Sequence, residues 1–129
     1  MIDHVPSTCW SPGNYGVGSW LHFDFNQQLT IDQIGVIPGY KKYKSDRYGD
    51  RWTLNPRVAK AKISFSNGKH FIIEFADDQS MQYFKLPDVT TNYVKFTILD
   101  YIPANRNIPG KSYKSNDTSV AEIRFWGIK

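Results

Sequence analysis

Apolar and polar residues alternate with a period of two along several short stretches of the chain. In residues 19–25, "SWLHFDF", Leu21 and two phenylalanines alternate with Trp20, His22 and Asp24. Alternation of this kind predicts a β-strand with one buried face, and no window keeps the i, i+3, i+4 spacing of an amphipathic helix. The pattern recurs in "IDQIGVI", "VAKAKISF", "HFIIEFA", "SMQYFKL", "YVKFTIL" and "VAEIRFW". The chain is therefore predicted to be all-β, with about seven strands.

A hairpin is predicted where the alternation in "KISFSNGKHFIIE" breaks at Asn67 and Gly68. The period of two continues on both sides, and an Asn-Gly pair supplies the positive φ angles of a type I′ turn. The inward faces of the strands together define a predicted core, which consists of Phe23, Phe25, Ile34, Ile63, Phe65, Ile73, Phe96, Ile98, Ile123 and Phe125.

Two connections between predicted strands, residues 38–57 and 100–118, are much longer than the others. Long loops in a compact domain are usually functional. Both are rich in aromatic, Asn, Gly, Pro and basic residues, and in a β-sandwich they are expected to emerge at the same end. The length of 129 residues suits a single domain, 1–129, with a core large enough to fold without disulfides.

Cysteine content and hydropathy restrict the class of protein. Cys9 is the only cysteine, which excludes an internal disulfide and a metal cluster of the zinc-finger type. The apolar runs are too short to span a membrane, and no charged-then-apolar leader opens the sequence. We expect a soluble, monomeric domain that is a fragment of a longer secreted protein.

The basic residues are concentrated in one region. The net charge is +4, but residues 1–40 contain no Lys or Arg, whereas residues 41–62 contain eight against two Asp. Within that region, "GYKKYKSDRYGDRW" (39–52) combines five cations with the aromatic residues Tyr40, Tyr43, Tyr48 and Trp52. Such a segment is typical of sugar or anion recognition, and equally of nucleic-acid binding, where cations neutralise phosphates and rings stack on bases.

Trp52 is the ring in this loop that most favours ligand contact, because it lies in a polar setting beside Asn55 and Arg57. A planar ring stacks on the apolar face of a sugar while Asn and Arg bind its hydroxyl groups. Nucleic acid would use the same side chains, so composition leaves the two ligand classes open.

The sequence offers little for catalysis. His4, His22 and His70 lack the HExxH spacing, and neither a G-x-S-x-G elbow nor a phosphate-binding glycine loop is present. His22 is interpreted as a cross-strand packing residue. The pair Asp77-Asp78 is interpreted as a turn, because Asp readily bonds to its own backbone. The protein is therefore predicted not to be an enzyme.

Three motifs, "GVGSWL", the "GY…NPR" block and "DTSVAEIRFWG", occur in an order and spacing that resemble the galactose-binding-domain-like superfamily. This superfamily includes discoidin and coagulation-factor C-type domains and many carbohydrate-binding modules. The closest likeness is to the NADase-type glycan-binding domain, and it covers nearly the whole chain. The resemblance implies a jelly roll of about eight strands that binds glycans through loops at one end and has no catalytic activity.

The resemblance also implies which loop residues face the ligand. Tyr40, Asn55 and Arg57 match the family pattern, and the second long loop is expected to contribute Tyr101, Asn105 or Tyr113. Structural roles remain open for two of these residues. Asn55 would then cap a turn, and Arg57 would form a buried ion pair with Asp100 or Asp117.

A structural Ca²⁺ is a further implication, because similar domains often hold one near the N-terminal turn. Asp3, Thr8 and Glu122 match the positions of its ligands. Calcium requires six to eight oxygen ligands, so backbone carbonyls would have to supply most of them. The alternative role for Glu122 is a plain salt bridge or hydrogen bond.

The predicted function is that of a non-catalytic carbohydrate-binding β-sandwich from a bacterial secreted or surface protein. Its partners would be host or cell-surface glycans. Two alternatives come from other classes: a protein-protein interaction module on the same scaffold, and a nucleic-acid binder that uses the basic loop at residues 39–57.

Overall fold

The computed structural model describes residues 16–40, 45, 48–116 and 118–128. Its elements in chain order are β1 (Trp20–Ile37), α1 (Arg51–Leu54), β2 (Arg57–Phe65), β3 (His70–Glu74), β4 (Gln82–Ile102) and β5 (Glu122–Ile128). The five strands pair antiparallel in the order β3-β2-β4-β1-β5, which confirms the all-β prediction. No helix in the described residues is long and apolar enough to cross a membrane.

The number of strands differs from the prediction of seven or eight, because two pairs of predicted strands are continuous. β1 contains both "SWLHFDF" and "IDQIGVI". The polar link between them is a bulge, where the register shifts between Asp24 and Leu29. Asn26 in this bulge has φ of 60°, and its backbone N–H donates to Asp24 Oδ1 at 2.8 Å. In the same way, β4 joins "SMQYFKL" to "YVKFTIL".

These long strands pass through two layers. By strand pairing, layer one contains β2, β3, residues 20–24 of β1 and residues 93–102 of β4, whereas layer two contains β5 and the remaining parts of β1 and β4. Phe23 of layer one and Phe125 of layer two meet edge to face, with ring centroids 5.2 Å apart. The layers thus face each other across one hydrophobic core.

The predicted core residues are buried, with the exception of Phe25. Phe25 is half-buried and packs its ring against Phe125, with centroids 5.7 Å apart. It lies directly before Asn26, where the bulge interrupts the regular alternation of faces. The outward position of His22 is also confirmed, and its ring packs across the strands on Tyr93.

The hairpin at Asn67 and Gly68 is confirmed, but its predicted turn type is wrong. A type I′ turn needs positive φ at both central residues, and at this turn only Gly68 has one, at 85°. Gly68 N–H donates to Phe65 O at 3.1 Å, and Phe65 N–H donates to Lys69 O at 3.0 Å. This is the longer hairpin in which a left-handed glycine forms a bulge after the turn.

Candidate functional site

The two long connections contact each other at one end of the sandwich. Asn105 N–H donates to Thr53 O at 2.8 Å, which joins the second connection to the first. Ser119 N–H donates to Pro56 O at 3.3 Å, farther along the same connections. The expectation that the loops share one end therefore agrees with the structure, and backbone hydrogen bonds hold them together.

The short helix α1 shapes the first connection. Asp50 is its N-cap, and the Asp50 carboxylate accepts from Trp52 N–H at 3.1 Å and from the Thr53 hydroxyl at 3.2 Å. Capping of this kind satisfies backbone donors that have no partner within a helix. At the other end, Asn55 Nδ2 donates to Arg51 O at 2.9 Å. Residues 50–55 of this connection thus form a defined turn of helix with both ends capped.

Arg57 is the centre of this end of the molecule, with only 1% of its surface exposed. Its Nε and Nη2 groups donate to Oδ1 and Oδ2 of Asp77 at 3.1 and 2.8 Å. Its Nη1 group donates to the carbonyl oxygens of Trp52 and Asn55 (3.2 Å each) and of Pro103 (3.4 Å). One side chain therefore ties both connections and the turn after β3 together.

Two expectations about Arg57 are corrected by these contacts. Its ion-pair partner is Asp77, not Asp100, and the other expected partner, Asp117, lies outside the described residues. A buried guanidinium with these hydrogen bonds does not face a ligand in this structure. Sequence reasoning could not find Asp77 as the partner, because an Asp directly after a strand is more often part of a turn. Asp78 does form that turn, and it accepts from Ser80 N–H at 2.7 Å.

The prediction that Trp52 stacks on a ligand is also corrected, because its side chain is buried, with 4% exposure. Its indole Nε1–H donates to Asp77 Oδ1 at 2.8 Å. The ring also lies close to the backbone of Gly39, where an added β-carbon would come within 2.6 Å of Trp52 Cζ3 and of Arg57 Cγ. Trp52 therefore packs under the loop and does not offer a stacking face to solvent.

The carboxylate of Asp77 accepts charged hydrogen bonds that stabilise its ionised form. The hydrogen bonds from Arg57 lower its pKa below the ordinary value of 3.8, partial burial acts in the opposite direction, and the Trp52 hydrogen bond and the Arg57 charge lower it further. The side chain of Asp77 remains 44% exposed. Asp77 thus stays ionised at neutral pH and holds Arg57 and Trp52 in place.

Asn55 uses both ends of its amide inside the protein. Besides the bond to Arg51, its Oδ1 accepts from the Ser115 hydroxyl at 3.0 Å. This agrees with the structural alternative, a residue that caps a turn, and it links the two connections once more. Like Trp52 and Arg57, Asn55 bonds to other parts of the protein and supports the loop end.

The other predicted ligand residues have varied exposure. Tyr40, Tyr48 and Tyr101 are half-buried, whereas Asn105 and Tyr113 are exposed, Tyr113 to 57%. Tyr43 lies outside the described residues. A backbone hydrogen bond of 3.0 Å from Ile108 N–H to Tyr113 O closes a small loop and fixes the position of Tyr113.

Arg106 is a further residue of this end that sequence reasoning missed. Its Nη2 group donates to the carbonyl oxygens of Tyr48 and Asp50, the second at 3.1 Å. Arg51 extends over the ring of Tyr48, with its guanidinium carbon 5.1 Å from the ring centroid. The basic composition of the loops signalled cations at this end, but it could not distinguish those that bind backbone from those that face solvent.

Glu122 is the one proposed calcium ligand within the described residues; Asp3 and Thr8 lie outside them. Its Oε1 accepts from Arg124 Nη2 at 3.3 Å, which is the salt bridge given as the alternative. No group of three His, Cys, Asp or Glu that could hold a metal occurs among the described residues. In this structure an arginine compensates the Glu122 charge, and the calcium site stays a prediction.

Comparison with known proteins gives a family and a set of similar folds. A family model described as NAD glycohydrolase translocation F5/8 type C domain matches residues 1–126. Among solved structures, the NAD⁺-glycohydrolase translocation domain of Streptococcus pyogenes is 20% identical, with a TM-score of 0.55, over 91% of this chain and 98% of that domain. No sequence among curated proteins matches the chain.

Two carbohydrate-binding modules of family 32 have the same fold. The module of Clostridium perfringens NanJ, solved in complex with galactose, is 10% identical with a TM-score of 0.58, over 96% of this chain and 91% of the module. The module of AlyQ, solved with 4,5-unsaturated mannuronic acid, is 15% identical with a TM-score of 0.56, over 93% of this chain and 78% of the other. These similarities confirm the jelly-roll fold of this class.

Proposed function

The chain belongs to the NAD glycohydrolase translocation F5/8 type C domain family, and on this premise we propose that it is a non-catalytic module that binds glycans through its two long connections. The module would belong to a larger bacterial protein that is secreted or displayed at the cell surface. The galactose and mannuronic acid complexes of similar modules support glycans as the ligand class. A protein receptor is the alternative partner.

The observation that carries this proposal is the rigid support beneath the exposed loop residues. The buried side chains of Arg57 and Trp52 bond to the partly exposed Asp77, and this hydrogen-bonded group holds both connections together. In the second connection, Asn105 and Tyr113 reach solvent. A sugar site needs a ring for stacking and a few fixed polar groups, held on a scaffold that does not move.

The ligand-facing set proposed here differs from the predicted one. Trp52, Asn55 and Arg57 are assigned to the support, because their polar groups bind other parts of the protein. The proposed ligand-facing residues are Tyr40, Tyr43, Tyr48, Tyr101, Asn105 and Tyr113. Contacts of this kind are shallow and wet, so we expect affinities on the order of 10 µM to 1 mM, or roughly 4–7 kcal/mol.

A glycan array followed by calorimetry with the best sugar tests the proposal. Tyr113→Ala is expected to lower the affinity at least about tenfold, because one stacked ring contributes a large share of a weak binding energy. Tyr83→Ala is the matched control. Tyr83 is as exposed as Tyr113, at 59% against 57%, but lies on the outer face of layer two.

Equal loss of binding in the two tyrosine variants, or no loss in either, would place the ligand away from the loop end. Nucleic acid is tested beside the sugars with a single-stranded oligonucleotide at two salt concentrations. Phosphate binding weakens steeply with salt, whereas binding of a neutral sugar does not. Tight, salt-sensitive binding of the oligonucleotide without any glycan binding would contradict the proposal.

We extend the proposal to a structural Ca²⁺ held by Asp3, Thr8 and Glu122. A ligand that binds only the native state stabilises it by mass action, so a chelator is expected to lower the melting temperature and excess calcium to restore it. Glu122→Gln should remove this response. Identical melting curves in chelator and in calcium would assign Glu122 to its ion pair with Arg124 alone.

A further inference from the structure

The outer face of layer one carries a group of aromatic and basic side chains that lies outside the proposed loop site. By strand alternation, Trp20, Lys62 and Lys95 point away from the core, because Phe23, Ile63 and Phe96 point into it. The register aligns Trp20 with Thr97 and Thr97 with Lys62, in one row across three strands. We call Trp20, Lys62 and Lys95 the layer-one cluster.

The two lysines of this cluster have no carboxylate partner in the part of the chain that the structure describes. Among the described residues, neither Lys62 nor Lys95 forms an ion pair, whereas the neighbouring Lys60 pairs with Glu74 at 3.6 Å. Lys62 is opposite Thr97 in the ladder and Lys95 is two residues away on the same strand. The Cα atoms of such diagonal neighbours are about 7–8 Å apart, so both lysine side chains leave the sheet in the same part of this face.

The aromatic residue fixes one of these charges without neutralising it. Lys95 Nζ lies over the Trp20 ring, 4.6 Å from its centroid. A cation–π contact holds an ammonium group in place but leaves its positive charge available, unlike a contact with a carboxylate. Trp20 is itself 52% exposed, although an indole of this size is usually largely covered.

The remaining groups of this face are mixed: the exposed Ile72 is opposite Lys62, the His22 ring is opposite Lys95, and hydroxyl groups suited to sugars lie beside them. Ser64 is opposite Lys95, and Thr97 lies between Lys62 and Trp20. The carboxylate nearest to the cluster along β1, that of Asp24, already accepts from the backbone N–H of Asn26. The face thus combines uncompensated cations, hydroxyl groups and an exposed ring.

We propose that the layer-one cluster is a second binding surface, and that its ligand is a carboxylated glycan. A carboxylate would bind between Lys62 and Lys95, sugar hydroxyls would bond to Ser64 and Thr97, and an adjacent sugar would pack on the free part of Trp20. This surface does not depend on the loop site, since it shares no residue with it.

Charge density favours a carboxylated glycan over a nucleic acid strand. A nucleic acid carries one phosphate on every nucleotide and is bound by a longer track of cations and by rings whose faces are free for bases. The cluster has two uncompensated cations, and Lys95 covers one face of the Trp20 ring. Two cations suit one or two carboxylates spaced along a sugar chain.

Calorimetry with an oligogalacturonate and with its methyl ester tests the proposal, because the ester keeps the sugars but has no charge. The acid is expected to bind, and the ester at least about tenfold more weakly. The double variant Lys62→Gln/Lys95→Gln should lose about tenfold in affinity for the acid. Lys85→Gln is the control for each of the two replacements, since Lys85 is exposed on the outer face of layer two and its replacement removes one positive charge, as each of them does.

Trp20 is a positioning residue in this proposal, and rescue by a similar ring tests that role. Trp20→Ala is expected to weaken binding of the acid several-fold, while Trp20→Phe keeps a ring face for Lys95 and should restore most of the affinity. Equal melting temperatures of the variants exclude a loss of fold. Tyr113→Ala should leave binding of the acid unchanged, which separates this surface from the loop site.

Four results would each overturn the proposal. The first is that the acid does not bind, and the second is that the ester binds as tightly as the acid. The third is that Lys85→Gln loses as much affinity for the acid as the lysine double variant does. The fourth is that a single-stranded oligonucleotide binds as tightly as the acid. Loss of acid binding in Tyr113→Ala with full binding in the lysine double variant would assign the acid to the loop end. That result would support the proposed function and reject this second surface.

Discussion

Replacing Arg57 by alanine is expected to lower the free energy of unfolding by about 3–5 kcal/mol, the range for removing one partner of a buried charged pair. The value should lie in the lower part of this range, because Asp77 is 44% exposed and water can replace some of its lost bonds. The carbonyl oxygens of Trp52, Asn55 and Pro103 would lose their donor at the same time. Urea unfolding followed by circular dichroism measures the change.

Adjacent aspartates supply a matched control for this ion pair. Asp77→Asn removes the charge that faces Arg57, whereas Asp78→Asn makes the same change in an exposed turn. We expect Asp77→Asn to be clearly destabilising and Asp78→Asn to have an effect within about 0.5 kcal/mol. An equal loss of stability in the two variants would show that Asp77 stabilises the protein only through the turn and not through its ion pair with Arg57.

The pH dependence of stability gives an independent measure of the same contact. The pKa of Asp77 is lowered in the folded protein, mainly by the hydrogen bonds from Arg57, so the folded state holds its proton less tightly than the unfolded state does. The stabilisation is therefore fully present above the ordinary, unfolded pKa of 3.8 and is lost as the pH falls through the lower pKa of the folded state. The difference between the wild type and Asp77→Asn should shrink only below about pH 4.

The fold could be predicted largely from the period of two, because burial of one sheet face leaves a direct trace in the sequence. The interpretation of "SWLHFDF" and "IDQIGVI" as separate strands failed for a local reason. Asn26 adopts a left-handed conformation that absorbs the polar residues of the link as a bulge, so β1 continues through them. The sequence alone does not distinguish such a bulge from a turn.

The contact between the two long connections could be predicted from the sequence, but the roles of individual residues at the candidate site could not. Polar, aromatic loops indicated a functional end, and the structure does join the loops there. Trp52 appeared exposed because its sequence neighbours are polar. Its burial depends on contacts with Gly39 and Asp77, which are distant in sequence, so tertiary packing outweighed the local composition.

Trp20 and Trp52 together show that the composition around a residue in the sequence does not predict how exposed it is. Trp20 lies in a regular apolar strand, where an indole would usually be largely covered, yet 52% of it is exposed. Trp52 lies in a polar loop and is 4% exposed. Strand alternation correctly places Trp20 on the outer face, but whether another part of the protein covers that face depends on the arrangement of the layers.

The second large effect is expected from Phe96→Ala, which should lower the free energy of unfolding by about 3–5 kcal/mol. Phe96 has no exposed surface and lies in the hydrophobic core, where its ring is 6.4 Å from that of Phe75. Truncation removes apolar contacts and leaves a cavity that the surrounding β-sheets cannot close completely. Far-ultraviolet circular dichroism during urea unfolding reports the loss.

Phe25→Ala is the matched control, because it deletes the same atoms from a half-buried position beside the bulge. It should cost clearly less than Phe96→Ala, since part of the Phe25 ring already contacts water and the site can fill with solvent. A cost for Phe25→Ala equal to or above that for Phe96→Ala would mean that the bulge at Asn26 turns Phe25 into the core. The register of β1 before the bulge would then have to be reassigned, because a shift of one residue exchanges the two faces of a strand.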